Sequence, residues 1–350
     1  MGSSLRAPYS TVYYIVEGKD WAIAWDGKYI AQHVRNLAGV RCLTTRSYQG
    51  IVNQVVHFGS RNVYLSGGID QIHDSNKVVL YWTHGDKSDA KAEMRHMIDR
   101  LSDAVQRVNK IVTCSTIGQE RLVSWGVPES QIAMIPIGVD LNIFRPATSA
   151  QRQQMRERLG IPDDAMCIGS FQKDGEGWGE GNEPKLIKGP DIFLAAIEKL
   201  ATKHKLHVLL TGPARGYVKH GLDKLGVPYH HTFLRRYHDV VPYYHCLDMY
   251  LVTSRDEGGP KAILEGMATG VPIVSTRVGM ASDVMCDGEN GFIVDVEDAD
   301  GLAKAASKLI DSPELRNKFA QNGLASAAEH DWSVTAMRYY DQIWKPLLSN

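Results

Sequence analysis

Short apolar runs of strand length, each separated from the next by a helical stretch, constrain the fold of this chain most strongly. Runs such as Val78–Trp82 and His207–Thr211 are rich in β-branched and aliphatic residues and end near Gly, Pro or Asp. Such runs are typical of parallel strands buried on both faces. Their alternation with helical stretches predicts an α/β chain with parallel sheets. The other predicted strands are Thr11–Val16, Lys110–Cys114, Ala133–Ile137, Met166–Phe171, Met249–Thr253, Pro272–Thr276 and Gly291–Val294, and the predicted helices are Ala90–Val108, Pro190–His204, Lys261–Thr269 and Ala299–Leu309.

The length of the chain predicts two domains. It has 350 residues, which is more than one hydrophobic core usually supports. A turn-like stretch and a charged helix separate the first group of strands from the second, so we place domains at 1–142 and 143–330. The last segment, 331–350, carries aromatic and aliphatic residues at helical spacing, and such a stripe must pack against another element.

Composition excludes several function classes. The formal net charge of −1 gives no indication of a nucleic-acid partner. The five cysteines are scattered and form no CxxC pair, which favours reduced thiols and a cytoplasmic location. No apolar run approaches the ~20 residues that span a bilayer, and the first residues lack the apolar core of a secretory signal; peripheral membrane contact stays open. The histidines fit no zinc-binding spacing, so we expect no metal.

The stretch from Ser254 to Val274 carries the strongest functional pattern. The predicted strand Met249–Thr253 runs into Gly258-Gly259-Pro260, and a helix follows. Glycines let the backbone approach a ligand closely, and proline suits a first helical turn. The free amides and positive dipole end of a helix start suit a diphosphate.

Two acids flank this helix start. Glu257 precedes the helix, and Glu265 lies just over a turn inside it. Carboxylates accept hydrogen bonds from pairs of hydroxyls, so the two acids suit different parts of one long sugar-containing ligand. The alternative is a structural role, in which Glu257 caps the helix and Glu265 makes a surface ion pair.

The sequence resembles the retaining glycosyltransferases of family 4. That family has the GT-B fold, with two Rossmann-like domains facing a cleft and a C-terminal helix crossing back to the first domain. The resemblance rests on Glu257, seven intervening residues, Glu265 and the following Gly270-Val271-Pro272, and it covers about residues 78–350. Further matching segments are His84-Gly85, Ser115, Gly126–Pro128, Ile135–Asp140, Phe144–Pro146, Gly279, Asp287–Phe292 and the helix that starts at Trp332.

The resemblance implies roles in the second domain. Glu257 would bind hydroxyls of the donor sugar, and Glu265 would bind the ribose of the nucleotide. Gly258 and Gly259, with the helix start at Pro260 and Lys261, would face the sugar or the phosphates. Lys188, in Lys-Gly-Pro-Asp, matches the position that binds diphosphate. A fixed cation beside the leaving group stabilises its growing negative charge.

In the first domain the resemblance implies roles for His84, near the donor sugar, and for Gly18, in a loop that approaches the donor phosphates. A lone glycine or histidine also fits a purely structural role. In the second domain, residues 231–234 correspond to the region that holds the nucleotide base.

The chain departs from the family pattern after the strand Met166–Phe171. The arginine expected after Gly169 is absent, and Lys173 or Arg215 is the candidate replacement. An insertion at 174–187, rich in Gly and Glu, precedes Lys188. We interpret it as a mobile lid or acceptor loop, with plain surface decoration as the alternative.

The predicted activity is therefore glycosyl transfer with retention of configuration, a hexosyltransferase reaction of class EC 2.4. A UDP- or GDP-sugar would be the donor, and a hydroxyl of a glycan, lipid-linked or small-molecule acceptor would attack; no cofactor is expected. The alternatives are a GT-B nucleotide-sugar epimerase and a degenerate, non-catalytic sugar-nucleotide-binding module. A Rossmann oxidoreductase is disfavoured because no GxGxxG opens a helix.

Overall fold

A computed structural model describes residues 9–17, 22–86 and 92–349. The chain packs as two compact units. One comprises Met1–Gly138 with Asp331–Asn350, and the other comprises Val139–His330. Each unit has its own parallel sheet with helices packed on it.

The first unit is built on a parallel sheet with the strand order β2-β1-β3-β4-β5-β6. This order extends the flavodoxin-like arrangement, in which the chain reverses direction across the sheet between β1 and β3. The strands are β1 (Thr11–Ile15), β2 (Arg41–Thr45), β3 (Val55–Phe58), β4 (Lys77–Tyr81), β5 (Lys110–Thr113) and β6 (Ile132–Met134). The helices are α1 (Ala22–Ala38), α2 (Arg61–Val63), α3 (Ile69–Gln71), α4 (Ala92–Asp99), α5 (Leu101–Arg107) and α6 (Thr116–Ser124).

The second unit has a parallel sheet with the order β12-β11-β10-β7-β8-β9. This is the Rossmann order, whose switch point lies between its first and fourth strands, here β7 and β10. The strands are β7 (Met166–Ser170), β8 (Leu206–Thr211), β9 (Tyr229–Thr232), β10 (Met249–Val252), β11 (Ile273–Thr276) and β12 (Phe292–Val294). The helices are α7 (Ser149–Arg158), α8 (Pro190–Ala201), α9 (Gly216–Leu225), α10 (Val241–Tyr244), α11 (Lys261–Ala268), α12 (Ala281–Val284), α13 (Ala299–Asp311) and α14 (Pro313–Ala328).

The C-terminal segment packs within the first unit. It consists of α15 (Trp332–Tyr339), a wide helical turn at Tyr340–Trp344 and α16 (Lys345–Ser349). The ring of Trp332 stacks on Tyr29 of α1 with centroids 5.4 Å apart. The indole of Trp344 donates to His57 Nδ1 of β3 at 3.1 Å. The apolar stripe noted in the sequence thus faces the sheet and helix α1.

The α/β class and the parallel sheets are confirmed, and the strands predicted from apolar runs are present with small shifts at their ends. Three details differ. The strands β2, β3 and β9 were not predicted. The strand β2 is a half-exposed edge strand, His57 interrupts the apolar run of β3, and β9 has the sequence Tyr-His-His-Thr and no apolar run. The predicted helix Ala90–Val108 is broken at Arg100, which hydrogen-bonds to Leu65 O, and its first two predicted residues lie outside the described part. The predicted C-terminal helix contains the wide turn described above.

Candidate active site

The candidate site lies at the switch point of the second sheet, where β7 and β10 run side by side. In sheets of this order the chain leaves the two central strands toward opposite sides, and ligands bind in the crevice at their carboxyl ends. Residues 171–189 follow β7, and residues 253–260 follow β10. The predicted donor-binding residues of the second unit fall in or beside these two segments, apart from Arg215 and Glu265.

The two segments are joined at Gly189. The hydroxyl of Thr253 donates to Gly189 O at 2.9 Å, and the amide of Arg255 donates to Ile187 O at 2.9 Å. Gly189 has φ +63°, and a Cβ there would lie 1.8 Å from Thr253 O. Only glycine allows this contact, so the Lys-Gly-Pro pattern reflects a backbone requirement.

Lys188 and Glu257 meet across the switch point. Lys188 Nζ lies 2.6 Å from Glu257 Oε1, and the side chains are only 23% and 12% exposed. The hydroxyl of Ser254 donates to the same Oε1 at 2.8 Å. Two residues that are 69 positions apart in sequence, both predicted to be catalytic, thus form one partly buried ion pair.

Arg255 ties these loops to helix α8, a role that the sequence did not indicate. Its guanidinium donates to both carboxylate oxygens of Asp191, at 2.8 and 2.7 Å. It also donates to Leu186 O at 2.6 Å and to Glu297 Oε1 at 2.6 Å. The hydrogen bonds between Arg255 and Asp191 lower the pKa of Asp191 and raise the pKa of Arg255.

Helix α11 begins at Lys261, as predicted. Pro260 is its cap residue, with an extended ψ of 98°, and Lys261 is the first helical residue. Gly258 is buried, and its carbonyl accepts from the amide of Met280 at 3.0 Å. The ammonium of Lys261 lies 5.5 Å from the ring centroid of Tyr237. The predicted contacts of Gly258, Gly259, Pro260 and Lys261 with sugar or phosphate stay predictions.

Glu265 is buried between two tyrosines that the sequence analysis did not assign. It is 6% exposed. The hydroxyl of Tyr244 donates to Oε2 at 2.8 Å, and the hydroxyl of Tyr237 donates to Oε1. Burial, and next the nearby Glu265 carboxylate, raise the pKa of Tyr244. A surface ion pair is thereby ruled out for Glu265, and its contact with a ribose stays a prediction.

Arg215 does not serve as the replacement phosphate cation. Its guanidinium is fully buried, and its Nε lies 2.9 Å from Asp174 Oδ1, which is 1% exposed. The same guanidinium donates to Ser170 O at 2.6 Å and to Thr211 O at 2.8 Å. A cation enclosed in this way cannot meet an entering diphosphate, so we correct its role to a structural one.

The insertion 174–187 is docked on helix α9 of the second unit. Its carbonyls at Glu180 and Gly181 accept from the amides of Gly216 and Tyr217, at 2.7 and 2.8 Å. These amides open helix α9, where they have no partner within the helix itself. The insertion therefore caps α9, and its interpretation as a lid or acceptor loop stays a prediction.

Lys173 remains the candidate second cation. It directly precedes the insertion, and its ammonium lies 4.1 Å from the ring centroid of Trp178, whose surface is 62% exposed. The adjacent Gln172 donates its side-chain amide to Lys188 O at 3.0 Å. Lys173 thus belongs to the same segment as Lys188, at the carboxyl end of β7.

In the first unit, His84 lies at the carboxyl end of β4. It is half-buried, and its carbonyl accepts from the guanidinium of Arg61. The following Gly85 has φ +115°, and its carbonyl accepts from Arg121 at 3.4 Å. Gly18 lies outside the described residues.

The described residues contain no group of three or more His, Cys, Asp or Glu side chains arranged to hold a metal ion. Within 9–17, 22–86 and 92–349, no helix has the length and apolar character required to cross a membrane.

The fold and the switch-point site define an α/β protein of the GT-B class, with two Rossmann-like units. Among solved structures, Anabaena Alr3699/HepE in complex with UDP-glucose is similar, with a TM-score of 0.77, 18% identity, and coverage of 97% of this chain and 99% of that chain. A glycosyltransferase from Rickettsia africae ESF-5 gives a TM-score of 0.73 at 15% identity, covering 98% of this chain and 99% of that one.

Residues 184–325 match the family described as glycosyl transferases group 1. The chain is similar to this family over that segment, which lies within the second unit. It is 28% identical over 261 residues to D-inositol 3-phosphate glycosyltransferase 2 of Catenulispora acidiphila, covering 68% of this chain and 56% of the relative. It is 29% identical over 252 residues to the D-inositol 3-phosphate glycosyltransferase of Acidothermus cellulolyticus, covering 67% and 52%. The alignments span about half the length of these curated relatives.

Proposed function

We propose that this protein is a retaining glycosyltransferase of family 4. It would transfer a hexosyl group from a nucleotide-diphosphate sugar to a hydroxyl acceptor without a metal cofactor. The observation that carries the proposal is the Lys188–Glu257 pair at the switch point, 2.6 Å apart and partly shielded from water. The buried thiols of four of the cysteines support a cytoplasmic location.

The pair suits the chemistry of this reaction. The bond between the sugar carbon and the diphosphate breaks, and negative charge grows on the leaving oxygen. An ammonium has three donors, so Lys188 can keep one on Glu257 while it stabilises the phosphate with another. The second carboxylate oxygen of Glu257 can accept a hydroxyl of the sugar and orient the anomeric carbon. With retention, the acceptor would attack from the face that the diphosphate leaves, and a phosphate oxygen would take its proton.

The similar proteins support the choice of donors for a first assay. A UDP-glucose complex is known for the Anabaena structure, and the curated relatives are named for D-inositol 3-phosphate. UDP-glucose, UDP-N-acetylglucosamine and GDP-mannose would be offered with D-inositol 3-phosphate, oligosaccharides and lipid-linked glycans as acceptors. The readout is acceptor-dependent release of nucleoside diphosphate, with the anomeric configuration of the product determined by NMR.

Substitutions at the pair test the assignment. Lys188→Ala is expected to lower kcat by about 10²- to 10³-fold, the usual effect of removing one group that stabilises transition-state charge. Glu257→Gln keeps the shape but removes the charge, and kcat is expected to fall as well. The matched controls are Lys199→Ala and Glu289→Gln, which break exposed ion pairs in the same unit and should leave transfer unchanged.

The outcomes separate the candidate functions. Transfer by the wild type, lost in both site variants and kept in both controls, supports a glycosyltransferase. Interconversion of nucleotide sugars without an acceptor identifies an epimerase instead. Donor binding without turnover identifies a non-catalytic module. A product of inverted configuration contradicts the retaining mechanism while leaving the transferase assignment in place.

A further inference from the structure

Arg255 joins the two loops of the candidate site. Arg255 directly follows Ser254, and Glu257 is two residues further on in the loop after β10. Its side chain extends to the other loop, where it contacts Leu186 O and the carboxylate of Asp191. These two partners bracket Lys188 in sequence, one on each side.

The contacts of Arg255 fix the orientation of its guanidinium as well as its distance from Asp191. The guanidinium and the Asp191 carboxylate form two parallel hydrogen bonds, at 2.8 and 2.7 Å, and this bidentate geometry allows little rotation. The side chains are 24% and 31% exposed, so the pair is only partly screened by water. A third bond, to Glu297 Oε1 at 2.6 Å, holds the guanidinium from the β12 side.

The backbone reinforces the same link. The amide of Arg255 donates to Ile187 O at 2.9 Å, immediately before Lys188. Arg255 therefore holds the short helical turn Leu186–Lys188 through its main chain and through its side chain. The turn carries the ammonium that meets Glu257, and its orientation depends on these bonds.

We propose that Arg255 is a positioning residue, which holds Lys188 at the leaving diphosphate of the donor by tying the segment 186–191 to the loop that carries Glu257. Arg255 itself does not touch the substrate. The inference rests on the proposed function, because it assigns Lys188 to the diphosphate. Loss of Arg255 leaves the Lys188 charge in place but lets it move, and a misplacement of about 1 Å in a reacting group costs up to about 100-fold in rate.

A double-mutant cycle tests this role. The variants are Arg255→Ala, Lys188→Ala and the combination, with UDP affinity measured by calorimetry and kcat measured with the donor that the wild type accepts. UDP lacks the sugar, so its affinity reports on the diphosphate contact without the sugar contacts of Glu257. We expect Arg255→Ala to lower kcat by about 10- to 100-fold and to weaken UDP binding. In a Lys188→Ala background the same substitution should have little further effect, because a positioning residue acts only through the group that it positions.

Two further variants separate positioning from stability. Asp191→Asn keeps Arg255 but removes the charge of its bidentate partner, and we expect an intermediate loss of UDP affinity. Arg255→Lys keeps a charge without the bidentate geometry, and we expect partial recovery relative to alanine. Arg277→Ala is the matched control, since Arg277 forms a more exposed ion pair with Asp295 at 3.6 Å, and it should change neither kcat nor UDP affinity.

The possible failures are distinguishable. A wild type that binds no nucleoside diphosphate and transfers no sugar overturns the proposed function. A wild type that binds UDP, combined with Arg255→Ala and Lys188→Ala effects that simply add, overturns the positioning role and leaves the function intact. If thermal melts show that Arg255→Ala folds poorly, Asp191→Asn replaces it in the double-mutant cycle with Lys188→Ala. Additive effects in that cycle would likewise overturn the positioning role.

Discussion

Gly189 is a position at which the backbones of the two loops of the site approach each other closely. Its φ of +63° lies in the left-handed region, and a Cβ would lie 1.8 Å from Thr253 O. Gly189→Ala therefore combines backbone strain with a steric clash that a carbonyl cannot relieve by rotating. We expect the unfolding free energy to fall by more than the backbone strain alone would cause. UDP binding should also weaken, because Lys188 directly precedes the displaced residue 189.

The chain offers a close control for this prediction. Gly226, which ends helix α9, has nearly the same φ of +64°, and a Cβ there would have no atom within 4 Å. Gly226→Ala should therefore show only the strain, about 1 to 2 kcal/mol, and unchanged UDP affinity. Urea unfolding and calorimetry on both variants provide the comparison. Equal losses in the two variants would contradict the close contact at Gly189.

The residues of the candidate site were predictable where a local pattern contains them. Glu257 and Lys188 stand in short motifs whose loop context favours ligand binding. Arg255 and Tyr244 could not be assigned in the same way, because their partners lie 64 and 21 residues away and no sequence pattern specifies such pairs. Arg215 was misassigned because its position in a loop after a strand suggests a ligand contact, whereas its burial depends on the insertion that covers it.

Among the secondary-structure elements, short apolar runs predicted most of the buried strands but few of their exact boundaries. Leu206–Thr211 is buried at every position, so its apolar run is unambiguous. The edge strand Arg41–Thr45 has one buried residue, Cys42, among its five positions, so it shows neither an apolar run nor a clear alternation. The docking of the insertion 174–187 was also unpredictable, because it depends on the amides at the start of helix α9 donating to carbonyls of the insertion.

The buried pair of Asp174 and Arg215 is predicted to anchor the insertion. Asp174→Ala leaves the guanidinium enclosed without its counter-charge, and breaking a buried ion pair in this way costs about 3 to 5 kcal/mol. We expect a corresponding fall in unfolding free energy in urea, together with faster proteolysis within the insertion. The double variant Asp174→Leu/Arg215→Met removes both charges and should recover much of the stability.

Asp164→Ala is the control for this pair. Asp164 forms an ion pair with Lys205 at 2.6 Å, but both side chains are exposed to water, so no measurable change in stability is expected. If Asp174→Ala were as mild as Asp164→Ala, the pair would not anchor the insertion.

At the scale of the whole molecule, two sheets of different strand order give the chain two switch points. Those lie between β1 and β3 in the first unit and between β7 and β10 in the second. The class of the sheets followed from the buried apolar runs, but strand order did not, because parallel strands of similar composition are interchangeable in sequence. The C-terminal segment was predicted to need a partner, and the structure supplies one in the first unit.

The packing of the C-terminal segment within the first unit predicts that this unit loses stability in acid. His57 is fully buried in β3, stacks on Tyr14 with centroids 4.6 Å apart, and accepts a hydrogen bond from Trp344. Burial lowers its pKa from 6.5 to about 3. At pH values between these two pKa values, His57 is protonated in the unfolded chain but not in the folded chain. The contribution of His57 to stability is therefore fully present above its pKa in the unfolded chain, and it is lost as the pH falls below that pKa. The expected loss is about 2 kcal/mol between pH 6.5 and roughly pH 4.5.

Intrinsic fluorescence can follow this loss, because every tryptophan except Trp178 belongs to the first unit. His57→Gln removes the titrating group, so its unfolding free energy should depend less steeply on pH in this range, whatever its absolute value. His73→Gln, at an exposed position, should keep the slope of the wild type. Equal slopes in all three proteins would mean that His57 takes up its proton without unfolding the unit. The hydrogen bond from Trp344 to His57 would then not couple the C-terminal segment to the sheet in a pH-dependent way.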